Sequence, residues 1–219
     1  MFNFFKKRKN LEGGGERMDI NFYNMNYKKF DMYQKSHYKR YVYAQSLIMS
    51  EDVVGDFACG SGYGSMMLAQ RAAKVIGVDI NGDVIEEVKL RYKKSENTTF
   101  FHSDVLNLNF VGHFDKIVSF ETVEHLKEED IRKLFNIYHR ALKEGGVLIF
   151  STPYNQEKSE IAIKMGFHLT FYIVEETVMN WLEQAGFELQ KFYYQNYVAH
   201  DLVDDLGHKD FIITVASKK

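Results

Sequence analysis

Apolar residues in this chain cluster in short dense runs, separated by stretches with helical spacing. Val53, Val54 and Phe57 form the first clear run. Glycines at 60, 62 and 64 interrupt it before a helical stretch over 66–73. A second run over 74–79 ends in Asp79, and a helix is expected over 83–95. Further strands are predicted at 98–102, 114–119, 147–151, 187–194 and 211–216. Ile131, Leu134, Phe135, Tyr138 and Leu142 recur at the three-and-four spacing of a helix face, which Gly145 and Gly146 close. Another helix over 174–185 stops at Gly186, and 37–48 reads as an amphipathic helix leading into the first strand. Dense runs that alternate with helices are the pattern of a parallel sheet covered on both faces. The expected fold is therefore α/β, a doubly wound sheet of seven strands.

Composition narrows this picture. With 219 residues, 45% of them hydrophobic, the chain can bury one full α/β core without a second domain. Cys59 is the single cysteine, so no disulfide framework is expected and a reducing cytoplasm suits the protein. No apolar run approaches the ~20 residues that span a bilayer. A net charge of −2 lacks the basic surplus usual in phosphate-backbone binders. Residues 1–17 stand apart: Phe2, Phe4 and Phe5, then Lys6 to Lys9, then Gly13 to Gly15. That segment reads as a flexible basic tail, with a membrane-surface or partner-docking tip as the alternative.

The glycine turn carries the first chemistry. Gly60, Gly62 and Gly64 let the backbone bend sharply and let a ligand approach closely, ahead of a helix N-terminus with free N–H groups. Asp79 ends the next strand 17 residues beyond Gly62, where a doubly wound sheet places a partner for ribose hydroxyls. A dinucleotide fingerprint needs its third small residue at position 65, yet the third glycine here comes one residue early. Asp56, inside the strand, suits a cationic, amino-acid-bearing ligand better than a pyrophosphate. A nucleoside cofactor other than a dinucleotide is expected.

Asp56-x-x-x-Gly60-x-Gly62-x-Gly64, then Asp79, then Ser103-Asp104-Val105, resembles the class I S-adenosylmethionine (SAM)-dependent methyltransferases over residues 35–217. The resemblance implies a seven-stranded, mostly parallel sheet with an antiparallel last strand. It implies a helical lid over 18–50 and a methyltransferase domain over 51–219. It assigns cofactor contacts to Asp56, Ala58, Gly60, Ser61, Gly62, Asp79, Ile80, Asp104, Val105 and Phe120. Asp104 would accept from the adenine amino group; a turn-capping role is its alternative. His37-x-x-Arg40-Tyr41 is similar to methyltransferases of bacterial surface-polysaccharide pathways, which implies a sugar, nucleotide-sugar or comparable small metabolite as acceptor.

Ligands of open α/β sheets bind at the carboxyl ends of the strands, so chemistry is expected at 120–127, 152–172 and 195–210. Glu121, Glu124 and His125 follow the fourth strand directly. SAM already carries an activated methyl, so the protein must align an acceptor and, for a hydroxyl, remove its proton. Histidine titrates near neutrality, and His125 is the expected base, oriented by Glu121 or Glu124. Tyr154 and Asn155 are candidates for sugar hydrogen bonds. The 195–210 connection, with His200, His208, Asp201, Asp204 and Asp205, is either a roof for the acceptor or a solvated acidic surface. A second reading uses the same turn. Glu121-x-x-Glu124-His125 with His168 is similar to the metal site of small-RNA 3′-terminal 2′-O-methyltransferases, in which a divalent metal would position a ribose diol. The first reading needs no metal. A catalytically silent SAM-binding protein is the third.

Overall fold

The computed structural model describes residues 18–160, 166 and 168–219; the expected basic tail over 1–17 lies outside the described residues, as does Phe167. Seven strands form one sheet: β1 Val53–Phe57, β2 Lys74–Asp79, β3 Thr98–His102, β4 Phe114–Phe120, β5 Leu142–Pro153, β6 Phe187–Gln195 and β7 Phe211–Lys218. Their order is β3-β2-β1-β4-β5-β7-β6. Neighbours from β3 through β5 run parallel, and β7 runs antiparallel to both β5 and β6. The expected architecture is the observed one. The final pair is antiparallel as expected, although 196–210 rather than a tight turn joins its strands.

Side chains on a strand alternate between faces, and β1 divides the core accordingly. Phe57 packs with Ile117, Phe135, Phe150 and Trp181 on one face, under α4 Glu128–Ala141 and α5 Glu175–Ala185. Val54 packs with Tyr41, Met67, Val118 and Ile149 on the other, under α1 Met32–Ser46 and α2 Tyr63–Ala69. Between α2 and α3 Gly82–Arg91, a smaller cluster gathers Met66, Val84, Ile85 and Phe100.

Capping explains where the helices depart from their predicted bounds. Asp31 Oδ1 accepts from Gln34 N at 2.8 Å and Gln34 Oε1 accepts from Asp31 N at 3.2 Å. This reciprocal box starts α1 five residues before the predicted position 37. Gly62, left-handed at φ 70°, starts α2 at Tyr63 instead of 66. Asn97 Nδ2 donates to the carbonyls of Ala69 and Ala72, catching oxygens left open where α2 ends early. Chain between Ala141 and Val147 joins β5 instead of prolonging α4, because Leu142 is already extended.

Candidate functional site

The cofactor half is built from β1, β2, β3 and the turns that follow them. Ala58, Gly60 and Gly62 all take left-handed φ, at 65°, 53° and 70°, so the chain coils tightly between β1 and α2. A Cβ on Gly62 would lie 2.7 Å from Val88 Cγ1. Asp79 closes this coil: Oδ2 accepts from Gly60 N and Oδ1 from Asn81 N, both at 2.9 Å. Its neighbour Ile80 is 60% exposed, an apolar side chain held at the sheet's carboxyl edge. Asp104 caps the short turn Val105–Asn107 by accepting from Leu106 N at 2.8 Å, while Val105 is buried. An anchored acid at the tip of β2, an exposed aliphatic residue beside it and a second acid at the tip of β3 fit a nucleoside with a ribose diol.

Two of the expected cofactor contacts have partners within the protein. Asp56 is fully buried, with Oδ1 accepting from Tyr41 Oη at 2.9 Å and Oδ2 from Ser65 Oγ at 2.6 Å. Burial pushes its pKa up to about 6 against those two hydrogen bonds. It ties α1 and α2 to the sheet. Ser61 Oγ donates to Met18 O at 2.8 Å and accepts from Ile20 N at 3.4 Å, so its hydroxyl is engaged by the segment before α1. The early third glycine has a tertiary cause as well. A Cβ on Gly64 would sit 2.0 Å from the Tyr41 ring, which lies flat on that position.

The acceptor half gathers segments far apart in sequence. A cavity of about 660 Å³ opens at the strand ends, lined by Glu121, Tyr154, Asn155, Gln156, His168, Tyr197 and the stretch 206–211. Part of the 195–210 connection thus forms the wall. Asp201, Asp204 and Asp205 stay exposed and pair with Lys39, Lys191 and Lys209. The connection thus supplies cavity wall at some residues and exposed acidic surface at others. His168 Nδ1 meets Gln156 Oε1, and its ring stands edge-on to His125, centroids 5.1 Å apart. The loop is strapped down: Leu169 N and Thr170 N donate to Glu124 O at 2.7 and 3.1 Å, and Thr170 Oγ1 donates to Leu126 O at 2.7 Å. Candidate ligand atoms of Glu124, His125 and His168 all lie within 4.8 Å of one another. His125 itself is not in the cavity wall; His168 is.

Glu121 stands apart from that cluster. It is left-handed at φ 51°, and Oε1 meets both Arg40 Nη1 and Ser151 Oγ at 2.7 Å. Its partners are thus Arg40 and Ser151, whereas Glu124 lies beside His125 and His168. Arg40, marked in the sequence only as part of His37-x-x-Arg40-Tyr41, lies on the buried face of α1 with Ser36 and Ala44, where an apolar residue is expected. One turn earlier on α1, His37 Nδ1 bonds Tyr63 Oη at 2.6 Å, among the rings of Tyr41 and Phe120. Burial, with the Arg40 charge second, pulls the His37 pKa down to about 3, so its ring is neutral. Phe120, another expected cofactor contact, is 4% exposed and packs edge-on against Tyr41.

Comparison with known proteins finds similarity over the central part of the chain. Residues 54–146 match the family model described as "Methyltransferase domain". Over 140 residues the chain is 29% identical to a Mycolicibacterium smegmatis protein named "Probable S-adenosylmethionine-dependent methyltransferase", covering 60% of this chain and 50% of that one. It is 27% identical over 155 residues to the "Ubiquinone biosynthesis O-methyltransferase" of Nitrosomonas europaea, covering 69% of this chain and 62% of the relative. The chain thus spans less than two thirds of either relative's length. An S-adenosylmethionine-dependent methyltransferase structure from Mesorhizobium loti superposes with a TM-score of 0.69 at 16% identity, covering 88% of this chain and all of that one. Residues 54–146 are thus similar to a methyltransferase domain, and the fold is the one seen in a SAM-dependent methyltransferase structure. Among the described residues no helix is long and apolar enough to cross a membrane.

Proposed function

We propose that the protein transfers the methyl group of SAM to a hydroxyl oxygen of a small acceptor, a sugar, nucleotide-sugar or comparable metabolite. The observation that carries this reading is the hydrogen-bonding cavity at the strand ends, with His168 in its wall and His125 edge-on behind that ring. SAM supplies an electrophilic methyl on a sulfonium, and this chain's residues do the rest. Asp79 and Asp104 would hold ribose and adenine, with Ile80 against the base and the turn at Gly60 and Gly62 beside the remainder. Tyr154, Asn155 and Gln156 would orient the acceptor. His125 would take the hydroxyl proton as the C–O bond forms, with Glu124 fixing the ring and His168 linking it to the cavity. The O-methyltransferase named among the relatives supports oxygen as the receiving atom.

The cluster of Glu124, His125 and His168 favours a second reading, in which these residues hold a divalent metal and the acceptor is an RNA 3′-terminal ribose. Glu121, the fourth candidate ligand, is committed to Arg40 in this arrangement. One assay separates the readings: labelled SAM with pooled nucleotide-sugars, small hydroxylated metabolites and short RNAs, with and without chelator. Label on a sugar, unaffected by chelator, supports the first. Label on RNA ends, lost with chelator, replaces it with the second. SAM binding without transfer to any acceptor leaves a silent binding protein.

A further inference from the structure

Arg40 is 2% exposed, yet it is the point where the acceptor half is tied together. Nη1 reaches Glu121 Oε1 at 2.7 Å and Ser151 Oγ at 3.2 Å, Nε donates to Gln195 Oε1 at 2.8 Å, and the guanidinium stacks 3.9 Å from the centre of the Phe211 ring. Those partners come from the ends of β4, β5, β6 and β7. A buried ion pair is a poor device for stability alone, because desolvation opposes its Coulomb attraction. Left-handed backbone at a residue other than glycine is a further cost, and Glu121 carries it at φ 51°. Both costs fall at the cavity wall, where strain marks function more often than packing.

The pair is also asymmetric. The Arg40 side chain is hidden, whereas that of Glu121 is 23% exposed and lines the cavity. Arg40 and Ser151 both engage Oε1, so Oε2 keeps its lone pairs for a ligand. Other charges in the wall are spoken for: Lys209 pairs with Glu175 at 3.4 Å, and Asp210 with His208 at 3.1 Å and Tyr197 N at 2.7 Å. We propose that Arg40 is a positioning residue that holds Glu121 so that Oε2 accepts a hydroxyl of the acceptor, making Glu121 a determinant of acceptor recognition. The assignment rests on the methyl-transfer reading above. The next residue on α1, Tyr41, holds the cofactor turn through Asp56, so one helix fixes the acceptor's carboxylate and the cofactor's turn in a single frame.

The test compares wild type, Arg40→Lys, Glu121→Gln and the double variant in the full chain. Lysine keeps the buried charge but not the multi-point geometry. Three quantities are read: melting temperature, SAM affinity by calorimetry, and KM for whichever hydroxylated acceptor the pooled assay labels. Each single variant should raise the acceptor KM about tenfold or more, the scale of one hydrogen bond to a charged group, with SAM affinity within twofold. The double variant should be no worse than Glu121→Gln, since Arg40 acts through Glu121. Additive effects, or Arg40→Lys with an acceptor KM within twofold of wild type, would overturn the assignment. A carboxylate ¹³C signal of Glu121, identified by its loss in Glu121→Gln, decides the positioning without any acceptor. It should move in Arg40→Lys; an unmoved signal sinks the proposal. A wild type that binds SAM and labels nothing sinks the transfer reading instead, and the ¹³C signal alone then decides whether Arg40 sets Glu121.

Discussion

The cofactor half and the acceptor half of this molecule are built on different principles. Between β1 and the turn at Val105, groups that would hold the nucleoside lie within one stretch of chain, anchored by short-range contacts such as Asp79 to Gly60 N and Asp104 to Leu106 N. Across the sheet, the cavity proposed for the acceptor is lined by Glu121, 153–156, His168, Tyr197 and 206–211, with Arg40 holding Glu121 from α1. The first half depends on backbone conformation that local residue types dictate. The second depends on side chains meeting from strands that are neighbours only in the folded sheet. Substitutions should divide the same way, with cofactor affinity moving in one half and turnover in the other.

The widest separation is expected at His125. His125→Ala should lower turnover by about 10²–10⁴-fold while SAM affinity holds, as loss of a general base does. A variant within threefold of wild type in steady-state assays would remove His125 from the chemistry. Gly64→Ala should next break the supposed independence of the halves. Its Cβ would strike the Tyr41 ring, which cannot yield cheaply because Tyr41 Oη is bonded to Asp56. A loss of roughly 1–3 kcal/mol in urea unfolding is expected, the usual cost of overpacking. Unchanged stability would show that α1 can move off the turn.

Asp79→Ala should weaken SAM binding by roughly 1–3 kcal/mol with little change in turnover at saturating cofactor, the worth of a hydrogen bond to a charged partner. Equal calorimetric affinity for both proteins would place the ribose elsewhere. The smallest effect is one of pH. Below its ordinary value of 6.5, His37 binds a proton in the unfolded chain that the folded protein, with its pKa near 3, refuses. Its contribution is complete above 6.5 and drains away as pH falls toward 3. Between pH 7.5 and 5.5 the loss is about 1.4 kcal/mol. His37→Gln, which keeps a hydrogen-bonding partner for Tyr63, should lack that part of the acid sensitivity. Parallel pH–stability curves for the two proteins would refute the assignment.

Much of this was legible in the sequence, and particular residues show where legibility stopped. The dense apolar run at Val53–Phe57 and the glycines that follow specify a strand and a left-handed coil, which Asp79 then closes. Asp79 ends β2 because an acid there costs nothing at an open edge and finds backbone donors nearby. The internal partners of Asp56 were not legible: Tyr41 and Ser65 satisfy it from within the protein. Nor was the packing reason for Gly64, because the ring that requires it lies 23 residues earlier. Glu121 and Glu124, three residues apart, looked interchangeable. A left-handed backbone at the first turns it to Arg40, while the second lies buried against His125 and His168.

Local spacing and residue type by themselves determined the order of strands and helices, the glycine turn and the acids at the strand tips. These depend on backbone propensity and on patterns that repeat every two or every three to four residues. Only the tertiary structure decided that Glu121 lines the cavity, that His168 rather than His125 lies in its wall, and why a charge lies buried on α1. Those outcomes follow from contacts 80 to 170 residues apart in the chain, such as Arg40 with Glu121 and with Phe211. No periodicity along the sequence encodes them, because they exist only once the sheet has brought its strand ends together.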